Sequence, residues 1–234
     1  MIGQLEFFNR CESTSPYSVM GPNLVAIGTP TLVAGKWGNA VNSPSNSNGL
    51  TSSPNTFSNT IINNWNRFTV EMFINVTYNV SSGVPQSGGN YNSVFSWHTA
   101  ADAYMNFILA FQSNGTVFDI NGTYWLSTDS RINITANTTT HIAFVVNTAG
   151  IAGSGDTGRF YINNVLSGTT STAFPGYSSP VIMHFLDDYP NYYSLQGWED
   201  NIKIWATDLT DFRDSMNNER AGMPDWYGLN RRNI

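Results

Sequence analysis

Apolar residues alternate with polar ones along most of Phe68-Thr69-Val70-Glu71-Met72-Phe73-Ile74-Asn75-Val76-Thr77, which puts Phe68, Val70, Met72, Ile74 and Val76 on one face of an extended segment. A side-chain period of two is the mark of a half-buried strand. Similar apolar runs recur at 91–97, 105–111, 116–120, 141–146, 159–165, 181–186 and 196–205. Between them stand Ser113-Asn114-Gly115, Ile120-Asn121-Gly122, Ser87-Gly88-Gly89-Asn90 and the glycine-rich stretch 150–158. Asn-Gly between apolar runs signals a hairpin, because both residues accept the positive φ that a tight turn requires. Residues 116–120 are therefore predicted to pair with both neighbours in a meander. One helix is predicted, with Thr210 capping Asp211–Met216, Asp211 favoured at its N-terminal end and Pro224 blocking its continuation.

A chain of 234 residues suits one all-β sandwich with a full core better than two small domains. Only 11% of its residues are charged, and Asn, Ser, Thr, Gly and aromatic residues dominate. These fill pleated surfaces and turns, not long helices. The net charge is −6, and Lys36 and Lys203 are the only lysines. A nucleic-acid partner would require a basic stripe, so none is expected. Arg231-Arg232 reads as a solvated tail. Cys11 is alone, so no internal disulfide can form. Met1 leads into Ile2-Gly3-Gln4-Leu5-Glu6-Phe7-Phe8, which has no basic segment, long apolar run or small-residue cleavage site. Synthesis in the cytoplasm without a signal peptide, and no membrane insertion, are the expectations. The six Asn-x-Ser/Thr sequons at Asn75, Asn79, Asn114, Asn121, Asn133 and Asn137 would matter only after a eukaryotic secretory passage.

Five short motifs stand in a recognisable order. They are Gly35-Lys36-Trp37-Gly38-Asn39-Ala40-Val41, Phe68-Thr69-Val70-Glu71, Thr140-His141-Ile142-Ala143, Arg159-Phe160-Tyr161-Ile162-Asn163-Asn164, and Gly197-Trp198-Glu199-Asp200-Asn201-Ile202-Lys203-Ile204-Trp205, followed by Leu209-Thr210-Asp211. This set resembles the laminin-G-like (concanavalin A-like) jelly-roll family over roughly residues 24–216. Two departures stand out. Asn164 replaces the usual hairpin glycine, and Glu199 stands where an aliphatic residue is usual, which suggests a shifted register or an exposed edge. The resemblance implies a two-sheet antiparallel jelly-roll sandwich with one short C-terminal helix. Residues 1–23 would form an N-terminal strand or arm, 24–218 the laminin-G-like domain and 219–234 a C-terminal arm. Trp37, Phe160 and Trp205 are expected in the core, and Asp200 is expected to serve nearby backbone N–H groups.

Catalysis is not expected. Glycan-hydrolysing members of that family carry paired carboxylates on one strand, as acid and as nucleophile or base. The glutamates here are Glu6, Glu12, Glu71, Glu199 and Glu219, and none pairs with another at strand spacing. Adjacent Glu199 and Asp200 point to opposite faces of a strand. His98, His141 and His184 lack metal-ligand spacing, and no nucleophile elbow or phosphate loop is present. No cofactor is expected. Calcium is the one metal to weigh, with Asp187-Asp188, Asp156 and Asp129 as oxygen donors that nothing fixes as a set.

Aromatic residues read as lying in loops are Trp65, Trp97, Trp125, Tyr177, Tyr189, Tyr192 and Tyr193. The segment Asp187-Asp188-Tyr189-Pro190-Asn191-Tyr192-Tyr193 mixes acceptors with stacking surfaces, and Asp188, Tyr189 and Tyr192 are the expected ligand-binding residues. The sequence thus points to a non-catalytic recognition or structural module. The expectation is a surface component of a phage or virus particle (decoration, spike or tail) that contacts glycan. Its partners would be other virion or surface proteins or further copies of the chain. The alternative is an exported carbohydrate-binding or adhesion lectin domain.

Overall fold

A computed structural model of the chain describes residues 5–44, 48–53, 66–81, 92–99, 107–112, 115–120, 123–127, 133–173, 181–187 and 194–219. In chain order the strands of the first half are β1 (Leu5–Asn9), β2 (Ser18–Met20), β3 (Val25–Ile27), β4 (Thr31–Ala34), β5 (Asn39–Ser43), β6 (Gly49–Thr51), β7 (Arg67–Val76), β8 (Val80–Ser81), β9 (Asn92–Thr99) and β10 (Phe107–Gln112). Those of the second half are β11 (Gly115–Ile120), β12 (Thr123–Ser127), β13 (Asn133–Ile134), β14 (Thr140–Asn147), β15 (Gly158–Ile162), β16 (Val165–Thr170), β17 (Val181–Phe185) and β18 (Gly197–Trp205). One short helix, α1 (Arg213–Asn217), follows.

Two antiparallel sheets make the sandwich. The first runs β16-β15-β14-β7-β18-β1-β2, with the β4–β5 hairpin joined to β18 through β5. The second runs β12-β11-β10-β9-β17-β6-β3, and β8–β13 form a small separate pair. As the sequence implies, β11 pairs with β10 and β12 in a meander. Asn163 and Asn164 both adopt positive φ, 48° and 66°, so the two-residue β15–β16 hairpin turn is built without glycine. The run read as 159–165 is thus two strands and their turn, not one strand.

The inner face of β7 carries the alternating set: Phe68, Val70, Met72, Ile74 and Val76 all belong to the main core. Opposite them stand Phe95 and Trp97 of β9, Phe107 of β10 and Phe185 of β17. Trp97 stacks on Phe107 at 4.2 Å between ring centroids, and Phe107 stacks in turn on Phe144 at 5.4 Å. Aromatic rings of this size dominate the apolar area buried between sheets.

The outer face of the first sheet differs from the half-buried expectation. Thr69, Glu71 and Phe73 of β7 are also buried: the segment 206–217 folds back across Thr69 and Glu71, and Trp37 stands edge-on over Phe73. Phe212 packs with Ala143, Val145 and Tyr161, and Leu209 packs on Leu5, Phe8 and Trp205. The helix is shorter than predicted, and Thr210 is not its cap. Its N-terminal flank is Phe212, with no side-chain cap; Asn164 Oδ1 accepts the Phe212 N–H at 2.7 Å and Asp211 Oδ1 accepts the Arg213 N–H. Residues 5–9 lie within the sheet, where β1 pairs with β18 from Leu5 to Asn9.

Candidate functional site

The segment expected to bind ligand falls between β17 and β18 in the sequence. Asp188, Tyr189 and Tyr192 lie outside the described residues, but both roots of the segment are described. Leu186 N–H donates to Val94 O at 3.1 Å and to Glu199 Oε1 at 3.3 Å, and Leu195 N–H returns to Leu186 O at 2.7 Å. Asp187 is fully buried; its Oδ1 accepts the Ser194 hydroxyl at 3.0 Å, and its carbonyl accepts the Ser93 and Ser96 hydroxyls. Ser194 Oγ in turn accepts the Asn48 N–H at 3.1 Å. Gly49 sits so close that a Cβ there would lie 2.5 Å from Phe185 O. Leu186, Asp187, Ser194 and Leu195, the described residues that flank 188–193, are thus each held by hydrogen bonds.

Glu199 explains its own departure from the family pattern. It is fully buried in β18, and burial pushes its carboxyl well above the usual range despite the Leu186 N–H. The buried side chain takes the place of an aliphatic one and holds Leu186 through its backbone N–H. The position is no exposed edge, but a register shift does follow it, between Asp200 and Lys203.

Asp200 ties two of the motifs together. Its Oδ2 accepts the N–H groups of Lys36 and Trp37 at 2.8 and 2.9 Å, so the turn 35–38 of the β4–β5 hairpin closes on β18. Gly35 N–H donates to Gly38 O across that turn, and Glu12 packs against Gly38 while accepting the Asn39 N–H. The motifs are thus a structural junction. Trp37, expected in the core, is half-buried, its ring edge-on to Phe73. Burial pushes the Asp200 carboxyl up to about 7, against the pull of its two N–H donors, with Glu12 and Glu219 adding to the rise. The unfolded chain titrates near the ordinary 3.8, so between about pH 4 and 7 the folded protein holds a proton that the unfolded chain releases. Stability therefore falls as pH rises through this window. Asp200→Asn is expected to flatten that fall, read from urea midpoints at pH 4.5 and 7.5. Glu199 contributes with the same sign, so a residual slope remains; an unchanged slope would refute the assignment.

A third cluster has the residue types of a catalytic triad in the wrong arrangement. His141 Nε2 lies 2.9 Å from Glu71 Oε2, while Glu71 Oε1 accepts the Trp205 indole N–H at 2.8 Å and the Ser215 hydroxyl at 2.7 Å. Ser215 donates to the carboxylate and not to the imidazole, whereas an activated hydroxyl needs the base as its partner. Glu71 and His141 are each 1% exposed. The cluster is a buried lock holding α1 on the sheet, and His141 is a framework histidine, as the sequence suggests. Sequence reasoning missed the lock because Glu71 sits on the face that alternation assigns to solvent.

Of the calcium candidates, Asp187 is engaged by Ser194 and Asp156 by Arg159 at 2.9 Å; Asp188 and Asp129 lie outside the described residues. Among the described residues, no three His, Cys, Asp or Glu side chains are placed to hold a metal ion. Two aromatic residues read as loop residues are in strands: Trp97 is fully buried in β9, and Trp125 of β12 is in register with Phe118 of β11. Trp65, Tyr177 and Tyr193 lie outside the described residues.

The fold is that of a two-sheet jelly-roll sandwich. No protein-family model matches the chain, and no curated protein does. Solved structures match it in fold. Domain 4 of AbnA, a GH43 extracellular arabinanase from Geobacillus stearothermophilus solved with arabinotriose, superposes with a TM-score of 0.64 at 15% identity, covering 94% of this chain and 100% of that one. The binding domain of botulinum neurotoxin serotype D/C VPI 5993 matches with a TM-score of 0.60 at 15% identity over 92% of this chain. The binding domain of Paraclostridial Mosquitocidal Protein 1 matches with a TM-score of 0.58 at 15% identity over 88%. The chain spans about half the length of the two toxin binding domains, 52% and 49%.

Proposed function

We propose that the chain is a non-catalytic recognition and structural module of laminin-G-like type. It is a surface component of a phage or virus particle, a decoration, spike or tail protein, that contacts glycan through Asp188, Tyr189 and Tyr192. The observation that carries the reading is the clamped root at Leu186, Asp187 and Ser194, a rigid base for a short segment rich in rings and acceptors. The commitment of Glu71, Glu199 and Asp200 to buried structural contacts supports a role in binding over chemistry. So does the likeness of the sandwich to a domain solved with arabinotriose and to toxin binding domains. Its partners are other particle proteins and further copies of itself, with calcium an optional ligand at the sandwich rim.

A glycan array tests the reading. The wild-type chain is expected to bind, and Tyr189→Ala with Tyr192→Ala to weaken that binding about tenfold, since each stacked ring contributes about 0.5–1.5 kcal/mol beyond its buried area. No release of reducing sugar from a polysaccharide panel is expected; release abolished by Glu199→Gln would overturn the non-catalytic reading. The exported lectin is the second reading, favoured by the extracellular source of the AbnA domain. Immunogold labelling of purified particles separates the two, because an exported lectin would leave the particles unlabelled.

A further inference from the structure

The turn from β1 to β2 encloses a half-open cleft of about 450 Å³, lined in part by Arg10, Glu12, Ser13, Tyr17 and Ser18. That volume lies within the range of small-molecule sites, about 300–1,000 Å³. The turn is stapled from inside. Asn9, fully buried, accepts the Cys11 N–H at 2.9 Å through Oδ1 and donates through Nδ2 to Pro16 O at 3.2 Å and Ser18 Oγ at 3.0 Å. Leu24 N–H also reaches Pro16 O, and the Ser18 hydroxyl donates to Pro22 O at 2.6 Å. The charged side is braced as well. Arg10 Nε meets Glu219 Oε1 at 2.5 Å, Arg10 lies 3.4 Å from Glu12, and Glu12 holds the Asn39 N–H. At the rim of this fixed frame Tyr17 is 83% exposed, the most exposed large hydrophobic side chain among the described residues.

We propose that this cleft is a binding site for a neutral oligosaccharide. Tyr17 offers a ring to the apolar face of a sugar, and a stacked ring is a rigid contact with few rotamers to fix. Arg10 supplies donors and Glu12 acceptors at one wall, the complementary pair that hydroxyl groups need. The charge balance selects the ligand class. Arg10 is flanked by two carboxylates, Glu12 and Glu219, on a chain of net charge −6, so an acidic sugar meets net repulsion. Preorganisation favours binding, since frame and charges are set before the ligand arrives. The inference rests on the recognition reading but assigns it a place apart from the 188–193 segment.

The test is titration of ¹⁵N-labelled full-length chain with arabinotriose and a panel of neutral oligosaccharides, with a sialylated trisaccharide for comparison. Neutral sugar is expected to shift the amides of residues 13–19. Tyr17→Ala is expected to weaken binding at least tenfold with an unchanged melting temperature, and Tyr17→Phe to stay within about twofold. Binding that survives Tyr17→Ala but is lost on Tyr189→Ala with Tyr192→Ala overturns the cleft and leaves the recognition reading standing. Preference for the sialylated sugar overturns the assigned ligand class. No binding to any neutral sugar overturns the cleft, and no binding to the sialylated sugar either overturns the glycan reading with it.

Discussion

Replacing Gly197 by Ala is expected to cost more than about 4 kcal/mol, or to prevent recovery of folded protein altogether. A Cβ at Gly197 would lie 2.0 Å from Asn75 O and 2.9 Å from both Asn75 C and Val76 Cα. These are backbone atoms of β7, and Gly197 is the residue paired with Val76 where β18 enters the sheet. No side-chain rotation relieves the overlap; β7 and β18 would have to part. Gly155 is the control, since a Cβ added there would meet no atom within 4 Å, and Gly155→Ala is expected to stay within about 0.5 kcal/mol of wild type. Urea denaturation of the two variants reads the difference. A Gly197→Ala protein within about 1 kcal/mol of wild type would show that the close approach is not present in solution.

Glu71→Ala is expected to lower stability by about 3–5 kcal/mol, with a fall in melting temperature on the order of 10 °C. The carboxylate serves the Trp205 indole, the Ser215 hydroxyl and the His141 imidazole, and it is the buried anion paired across the sheet from Lys203. Lys203 is 1% exposed and its ammonium makes no hydrogen bond among the described residues; the Phe8 ring lies 5.3 Å away. Removing Glu71 takes the facing anion from that cation and leaves the Trp205, Ser215 and His141 groups without their acceptor. Glu71→Gln keeps an acceptor for Trp205 and Ser215 and is expected to cost less than half as much. The pH dependence has a definite sign. Burial alone would raise the Glu71 carboxyl, but the His141 hydrogen bond, the charges of His141 and Lys203, and the Ser215 hydroxyl hold it below its ordinary value. Its contribution is complete above about pH 4.5 and is lost as pH falls through the folded value. The gap between wild type and Glu71→Ala is therefore expected to narrow in acid, measured as urea midpoints from pH 7 down to pH 3.

The long strands were legible because their inner faces are complete: every second residue from Phe68 to Val76 is apolar, and β9, β14, β17 and β18 lie within a residue or two of the predicted runs. The short strands β2 to β6 were not, since three to five residues hold too few periods to stand out from coil. Trp97 and Trp125 were misplaced for a related reason: a large ring beside polar neighbours reads as a loop residue until the strand pairing around it is known. The Asp200 junction was half visible. Its carboxylate was expected to serve backbone N–H groups, but nothing local to Asp200 says that they belong to Lys36 and Trp37. The lock around Glu71 was invisible because its partners come from three separate segments, and because alternation alone assigns that face to water.

The position of β18 has a consequence for biosynthesis. Along one side it is paired by β7 for nearly its whole length; along the other, β5 pairs with Gly197–Glu199 and β1 with Ile202–Trp205. The strand at the middle of the first sheet is therefore the last of the described strands in chain order, and all the neighbours it joins precede it. Until it arrives, β7 has one unfilled edge, and both β1 and the β4–β5 hairpin lack their common partner. Unfilled edges of this kind recruit other strands. The nascent chain is thus at its most vulnerable to association with neighbouring copies just before synthesis of residues 197–205 is complete. A polysome crowded with such chains would need either fast completion or a holding chaperone to deliver sandwiches rather than intermolecular sheet.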